Sequence, residues 1–251
     1  MTTARDAGAS IEGIVQRSAH VLLDFDGPVC AIFGGITAPA VAEQFRTALR
    51  LVPVKMPPAV RDANDPLEVF RQVADLGPEI AETAQHILTR LETRAARAAR
   101  ATPGSSDLMR TAHATGHTVT IVSNNSSVAI AAYLGDHRLT RYVTAIVGRD
   151  DADPALMKPS PYRVRVAVSQ LDAKPGEAFF VGDSPSDVVA GKLAGVAVIG
   201  FANKPGKAAQ LDEAGADAVT TRLAEISAAL HATPRVALPR LSARGAVHGL
   251  P

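Results

Sequence analysis

The 251-residue chain carries a single cysteine, Cys30. One thiol excludes an internal disulfide framework and cannot alone build a thiolate metal site. No uninterrupted apolar run approaches the roughly 18 residues that a membrane helix needs. An excess of one charge is also missing, since 26 basic side chains face 25 acidic ones. That balance excludes the basic field on which nucleic-acid binding usually depends, and it argues against adhesion to an anionic membrane. The opening MTTARDAGASIEG shows no basic start followed by an apolar stretch, so no secretory signal is visible and a cytoplasmic location is expected. Repeats and long charge blocks are absent too.

What the chain does have is a core. Apolar residues make up 47 % and charged residues 20 %, ample for packing and too mixed for a disordered chain. The runs HVLLDF (20–25), HTVTIVS (117–123), YVTAIVG (142–148), EAFFVGD (177–183) and GVAVIGF (195–201) each read as a strand, with ADAVT (216–220) a weaker sixth. Their continuous apolar character, bounded by Gly, Asp and Ser, fits strands buried on both faces. Helical patterns fall near 105–115, 126–137, 159–171, 186–194, 205–214 and 222–230. Strand–helix alternation at this spacing predicts an α/β fold, a doubly wound parallel sheet with helices on both sides.

Between the first two strands the rhythm breaks. Helical stretches near 38–51, 65–76 and 78–100 fill the interval, separated by VPVKMPP and by LGP. A helical insert, leaving after the first strand and returning at Thr102-Pro103-Gly104, accounts for this. The expected organisation is a core from residues 1–30 and 103–232, an insert over 31–102, and a mobile tail over 233–251, where prolines and glycines interrupt every pattern.

The polar residues collect at strand ends. The first strand closes in Asp24-Phe25-Asp26-Gly27, two carboxylates spaced i, i+2 where open α/β sheets bind ligands. An unpaired buried carboxylate costs several kcal/mol, so this pair calls for a cation or for abnormal titration. The fourth strand ends in Asp183, with Asp187 one turn later. Carboxylates converging on one edge make an all-oxygen site suited to Mg²⁺. The second strand runs into Ser123-Asn124-Asn125, a polar turn opening a helix, with a hydroxyl and backbone N–H groups free to hold an anion. Lys158, in Met-Lys-Pro-Ser-Pro, supplies an ammonium able to neutralise both a phosphate and the acids around it. Carboxylate nucleophile, second carboxylate, Mg²⁺, hydroxyl and lysine together describe phosphoryl transfer.

With DFDG, the strand ending in Ser123, Lys158 and GDSPSD in this order, the chain resembles the haloacid dehalogenase-like hydrolase superfamily over about residues 20–201. The resemblance implies Asp24 as nucleophile and Asp26 as general acid, then base. It implies Mg²⁺ held by Asp24, the Asp26 carbonyl and Asp183, and phosphoryl binding by Ser123, Asn124 and Lys158. Asp187 would steady the metal site or the lysine, and the insert would be a C1-type cap. The retained second acid points to a phosphatase acting on a small phosphorylated metabolite, of phosphoglycolate or sugar-phosphate type. Pro28 replaces the threonine usual after DxDG, which removes a hydroxyl and a backbone donor and stiffens the loop.

Each residue also has a plainer reading. Asp24 and Asp26 fit a turn, Ser123 a helix N-cap, Asp187 the first turn of a helix, and Lys158 a solvated loop. Cys30 reads as a small packed side chain, and Arg90, Arg94, Arg97 and Arg100 as a solvated helix face. His20, His113 and His117 lack metal-ligand spacing and are expected at solvent or strand ends. Arg46 and Lys55 are candidates to meet a second anionic group of the substrate. A phosphomutase would use the same residues, and a non-catalytic scaffold would keep the fold while Pro28 impairs the loop; a response-regulator receiver would be about half the length.

Overall fold

A computed structural model describes residues 9–235. Residues 236–251, most of the expected tail, lie outside the described residues. Six strands form one parallel sheet: β1 (His20–Leu23), β4 (Thr118–Val122), β5 (Ala145–Val147), β6 (Ala178–Gly182), β7 (Ala197–Phe201) and β8 (Ala218–Thr220). They lie in the order β5-β4-β1-β6-β7-β8. The strands are parallel throughout, as two-sided burial of their apolar runs requires. Leu23 pairs in register with Ile121 on one side and Val181 on the other.

Alternation along the strands divides the core in two. Val21, Leu23, Val119, Ile121, Phe179 and Val181 face one layer. It comprises α1 (Ile11–Arg17), α6 (Ser105–Ala114), α7 (Ser127–Asp136) and α11 (Leu223–Ala232). Leu22, Val122 and Phe180 face the other, which holds α8 (Tyr162–Gln170), α9 (Pro185–Ala194) and α10 (Lys207–Glu213). The continuous apolar strands thus serve two helical layers, each reading alternate residues.

The stretch between β1 and β4 is helical, with α2 (Ala38–Leu49), α3 (Ala59–Asp62), α4 (Pro66–Ala74) and α5 (Pro78–Arg97). Where it leaves and returns, β2 (Cys30–Ala31) pairs antiparallel with β3 (Arg100–Ala101). These helices bury their own cluster, centred on Phe45, Leu49, Val69, Phe70, Val73 and Leu88. The chain starts α4 at an Asp65 cap, whose carboxylate accepts from the Leu67 N–H at 2.9 Å, followed by Pro66 in the first turn, the preferred order at a helix N-terminus. Helix α5 serves both clusters, with Ala84 and Leu88 in the insert's and Ala95 and Ala96 in the one beneath the sheet, where α5 packs on α7.

Arg90, Arg94 and Arg97 lie exposed on α5, as expected of a solvated helix face, whereas Arg100 is exposed but belongs to β3. His113 is exposed, whereas His20 and His117 are buried where β1 and β4 begin. The short α1, the β2–β3 pair and α3 were not anticipated. Among the described residues no helix is long and apolar enough to cross a membrane.

Candidate active site

Strands β1, β4 and β6 are neighbours, so their carboxyl ends deliver Asp24, Ser123 and Asp183 to one edge of the sheet. Asp24 extends β1, its N–H donating to the Val181 carbonyl at 2.9 Å. Its Oδ1 accepts from the Phe25 N–H at 2.7 Å and meets Lys158 Nζ at 2.8 Å. Lys158 also reaches Asp187 Oδ1 at 2.5 Å, so one buried ammonium serves two buried carboxylates. Burial opposes the lysine's charge, but Asp187 and Asp24 overcome it and hold the ammonium above its ordinary range. Burial pushes Asp24 upward; Lys158 pulls it down, while Asp187 and Asp183 add to the rise.

Asp187 has its oxygens committed. It forms a capping box with Ser184, accepting at Oδ2 from the N–H groups of Asp183 and Ser184, both at 3.0 Å, and from the Ser184 hydroxyl at 2.8 Å. Glycine at 182 is a packing requirement, because a Cβ there would strike the Asp187 side chain. Gly27 answers to a similar constraint from Asp183 and has φ of 109°, a region that favours glycine. Pro28 does no damage to the turn: the N–H groups of Val29 and Cys30 close it onto the Phe25 carbonyl at 3.2 and 3.0 Å.

Asp26 stands apart from the three other acids. Its Oδ1 accepts from the Ile32 N–H at 3.0 Å. Burial pushes its carboxyl up to about 6, against the Ile32 hydrogen bond and with help from Asp183. Asp24, Asp183 and Asp187 each offer an oxygen within 4.8 Å of the others. This donor set suits a hard cation. Because Asp187 is spent on Lys158 and the α9 cap, the acids with uncommitted oxygen are Asp24 and Asp183.

All seven residues expected from the sequence, Asp24, Asp26, Ser123, Asn124, Lys158, Asp183 and Asp187, line one cavity of about 450 Å³. Asn124 has its side-chain amide engaged elsewhere. That amide is spent on the lysine backbone, accepting from the Lys158 N–H at 2.8 Å and donating to the Lys158 carbonyl at 3.3 Å. Only its main chain remains for an anion. Arg46 and Lys55 do not line the cavity. Arg46 is bound to Glu43 and to the Ala63 carbonyl, and Lys55 is exposed. The insert instead sends in Phe33, Asp65, Leu67 and Arg71. Arg71 follows from the apolar spacing of α4, which turns Val69, Phe70 and Val73 inward. Lys207 and Asn203, both bound to Asp183 Oδ2, were also not anticipated; nothing in their spacing marks them.

The model of the haloacid dehalogenase-like hydrolase family matches residues 63–201, more than half of the chain. The chain belongs to that family. The match begins beyond Asp24 and Asp26, so the geometry above is what ties those two acids to the rest. A phosphoglycolate phosphatase of Salmonella typhimurium is 31 % identical over 98 residues, 39 % of this chain and 38 % of that protein. The aligned stretch thus spans about two-fifths of that relative. Among solved structures, a haloacid dehalogenase-like hydrolase from Bacteroides fragilis has a TM-score of 0.64 at 18 % identity, covering 83 % of this chain and 99 % of that one. A family hydrolase from Deinococcus radiodurans with bound phosphate and sodium has a TM-score of 0.58 at 22 % identity, covering 87 % and 97 %. These likenesses belong to the fold of this haloacid dehalogenase-like hydrolase.

Proposed function

We propose that the protein is a Mg²⁺-dependent, cytoplasmic phosphatase that hydrolyses a small phosphorylated metabolite through an aspartyl-phosphate intermediate. The observation that carries the reading is Asp24 at the sheet edge, paired with a lysine already shared by Asp187, with the protonatable Asp26 two residues on. The relatives named phosphoglycolate phosphatase and the phosphate bound in the Deinococcus structure support it.

In this reading the Asp24 carboxylate attacks phosphorus and the bond to the ester oxygen breaks. Asp26, raised to about 6, gives its proton to that oxygen. A water then attacks the phosphorus of the aspartyl phosphate, Asp26 takes the water's proton, and Asp24 and inorganic phosphate are released. Ser123, the main chain at Asn124 and Lys158 bind the phosphoryl oxygens; Asp187 positions Lys158. Asp24, Asp183 and the Asp26 carbonyl would hold Mg²⁺. An ion there would offset the carboxylate charge that Lys158 and Lys207 leave uncompensated and would withdraw electron density from the phosphoryl group. Residues 31–102 form a cap over the core of 1–30 and 103–232, and exclude bulk water from the reaction.

Arg71 sharpens the substrate class. It is the cap's cation in the cavity, held at 3.2 Å to a half-exposed Glu68, a pairing weak enough for a ligand to displace. A second anionic group on a small phosphate ester would meet it, which favours phosphoglycolate or an acidic sugar phosphate. The test is phosphate release from an aryl phosphate and a panel of small esters, with and without Mg²⁺, beside Asp24→Asn. Metal-dependent release lost in the variant, by about 10⁴-fold or more, is the expected result. Release that survives Asp24→Asn would mean another nucleophile.

A further inference from the structure

Beneath the anion-binding loop lies an ion pair that the chemistry above does not use. Glu92 of α5 and Arg149, just after β5, are both fully buried and meet at 2.7 Å. Glu92 Oε1 accepts from the Asn125 side-chain amide at 3.2 Å, and Oε2 from the Ser126 N–H at 3.0 Å. Arg149 Nε donates to the Asn124 carbonyl at 3.0 Å, and its N–H to the Asn125 carbonyl at 2.8 Å. Gln85, two turns earlier on α5, donates to the Arg149 carbonyl at 2.7 Å. The guanidinium lies 4.8 Å from the ring centre of Phe70, the neighbour of Arg71.

The consequence is geometric. A trans peptide points its N–H opposite to its carbonyl. Fixing the Asn124 carbonyl on Arg149 therefore aims the Asn125 N–H the other way, onto the Ser123 hydroxyl at 3.3 Å, one of the groups lining the cavity. We propose that Glu92 and Arg149 are positioning residues: a helix of the insert, through this pair, sets the orientation of the Ser123–Ser126 loop for an anion. The proposal rests on the phosphatase reading for the identity of that anion.

The test compares the double variant E92M/R149M, which keeps volume and removes both charges, with E92Q and with L88A on the same helix. Two quantities are measured on the Mg²⁺-loaded full chain: inorganic phosphate affinity by calorimetry, and amide exchange of residues 123–126 against β4. The double variant should bind phosphate at least about tenfold more weakly, with faster exchange in the loop and unchanged exchange in β4. E92Q should show a smaller loss of the same kind. L88A should melt earlier yet bind phosphate as the wild type does. Unchanged loop exchange in the double variant overturns the clamp, as does a loss of phosphate affinity in L88A that matches it. A wild type that binds no phosphate overturns the phosphatase reading itself.

Discussion

The sheet edge and the helical insert contribute to the same cavity by opposite means. At the sheet edge, charged groups are buried, mutually paired and held by backbone donors; Asp187 alone accepts three hydrogen bonds at one oxygen. On the insert side, Arg71 pairs with a half-exposed Glu68, which also accepts from the Gln72 side-chain amide at 2.9 Å, and no backbone donor or buried charge fixes the pair. In the proposed phosphatase, chemistry that must be preorganised falls to the strands, where burial makes every charge energetically expensive to misplace. Recognition, which must admit and release a ligand, falls to a short amphipathic helix whose half-exposed ion pair is worth less than about 1 kcal/mol.

The largest effect that separates the two sides should come from Lys158→Met. It leaves Asp24 and Asp187 buried against each other, so kcat should fall by about 10³-fold and stability by about 3–5 kcal/mol. Phosphate-release kinetics and denaturant unfolding measure both, and intact stability would break the contrast. An intermediate effect is expected from acid. Burial, aided by Arg235, pushes His117 down to about 4, so the folded state holds it neutral while the unfolded chain takes up a proton below about 6.5. Stability is therefore present above that pH and lost progressively as pH falls toward about 4, by roughly 2 kcal/mol from this one residue. Melting curves across pH 7 to 4 should be flatter for His117→Asn than for the wild type. The smallest effect belongs to the insert. Arg71→Ala should raise KM about tenfold for esters bearing a second anion, leave an aryl phosphate unaffected, and shift stability by less than about 0.5 kcal/mol. Loss of kcat toward every ester would place Arg71 with the preorganised side instead.

The two sides also differ in how far they could be read from the chain. The strands announce themselves because burial on both faces demands unbroken apolar runs, and acids at their ends have nowhere to go but the sheet edge. Asp24, Ser123 and Asp183 were legible for that reason. Lys158 and Asp187 were legible as well, with a link between them as one of two readings of Asp187, and the two meet at 2.5 Å. In the insert, amphipathic spacing marks the helices but not which cation faces the cavity; Arg46 and Lys55 were the candidates, and Arg71 emerges only from the packing of α4. Strands of two residues, such as Cys30–Ala31 and Arg100–Ala101, leave no periodicity to detect. Glu92 and Arg149 lie 57 positions apart, and each alone reads as an ordinary surface charge.

Cys30 carries one more consequence. It is fully buried beneath the Asp26 turn, and burial, with Asp26 and Asp24 nearby, raises its thiol far above the range in which a thiolate forms. Alkylating reagents and mild oxidants act on thiolates and should pass it by in the folded protein. A cysteine placed on α4 and another on the sheet layer would then accept a pair of fluorophores without removing the native one. The distance between the two halves of the cavity could be followed in solution as a ligand arrives.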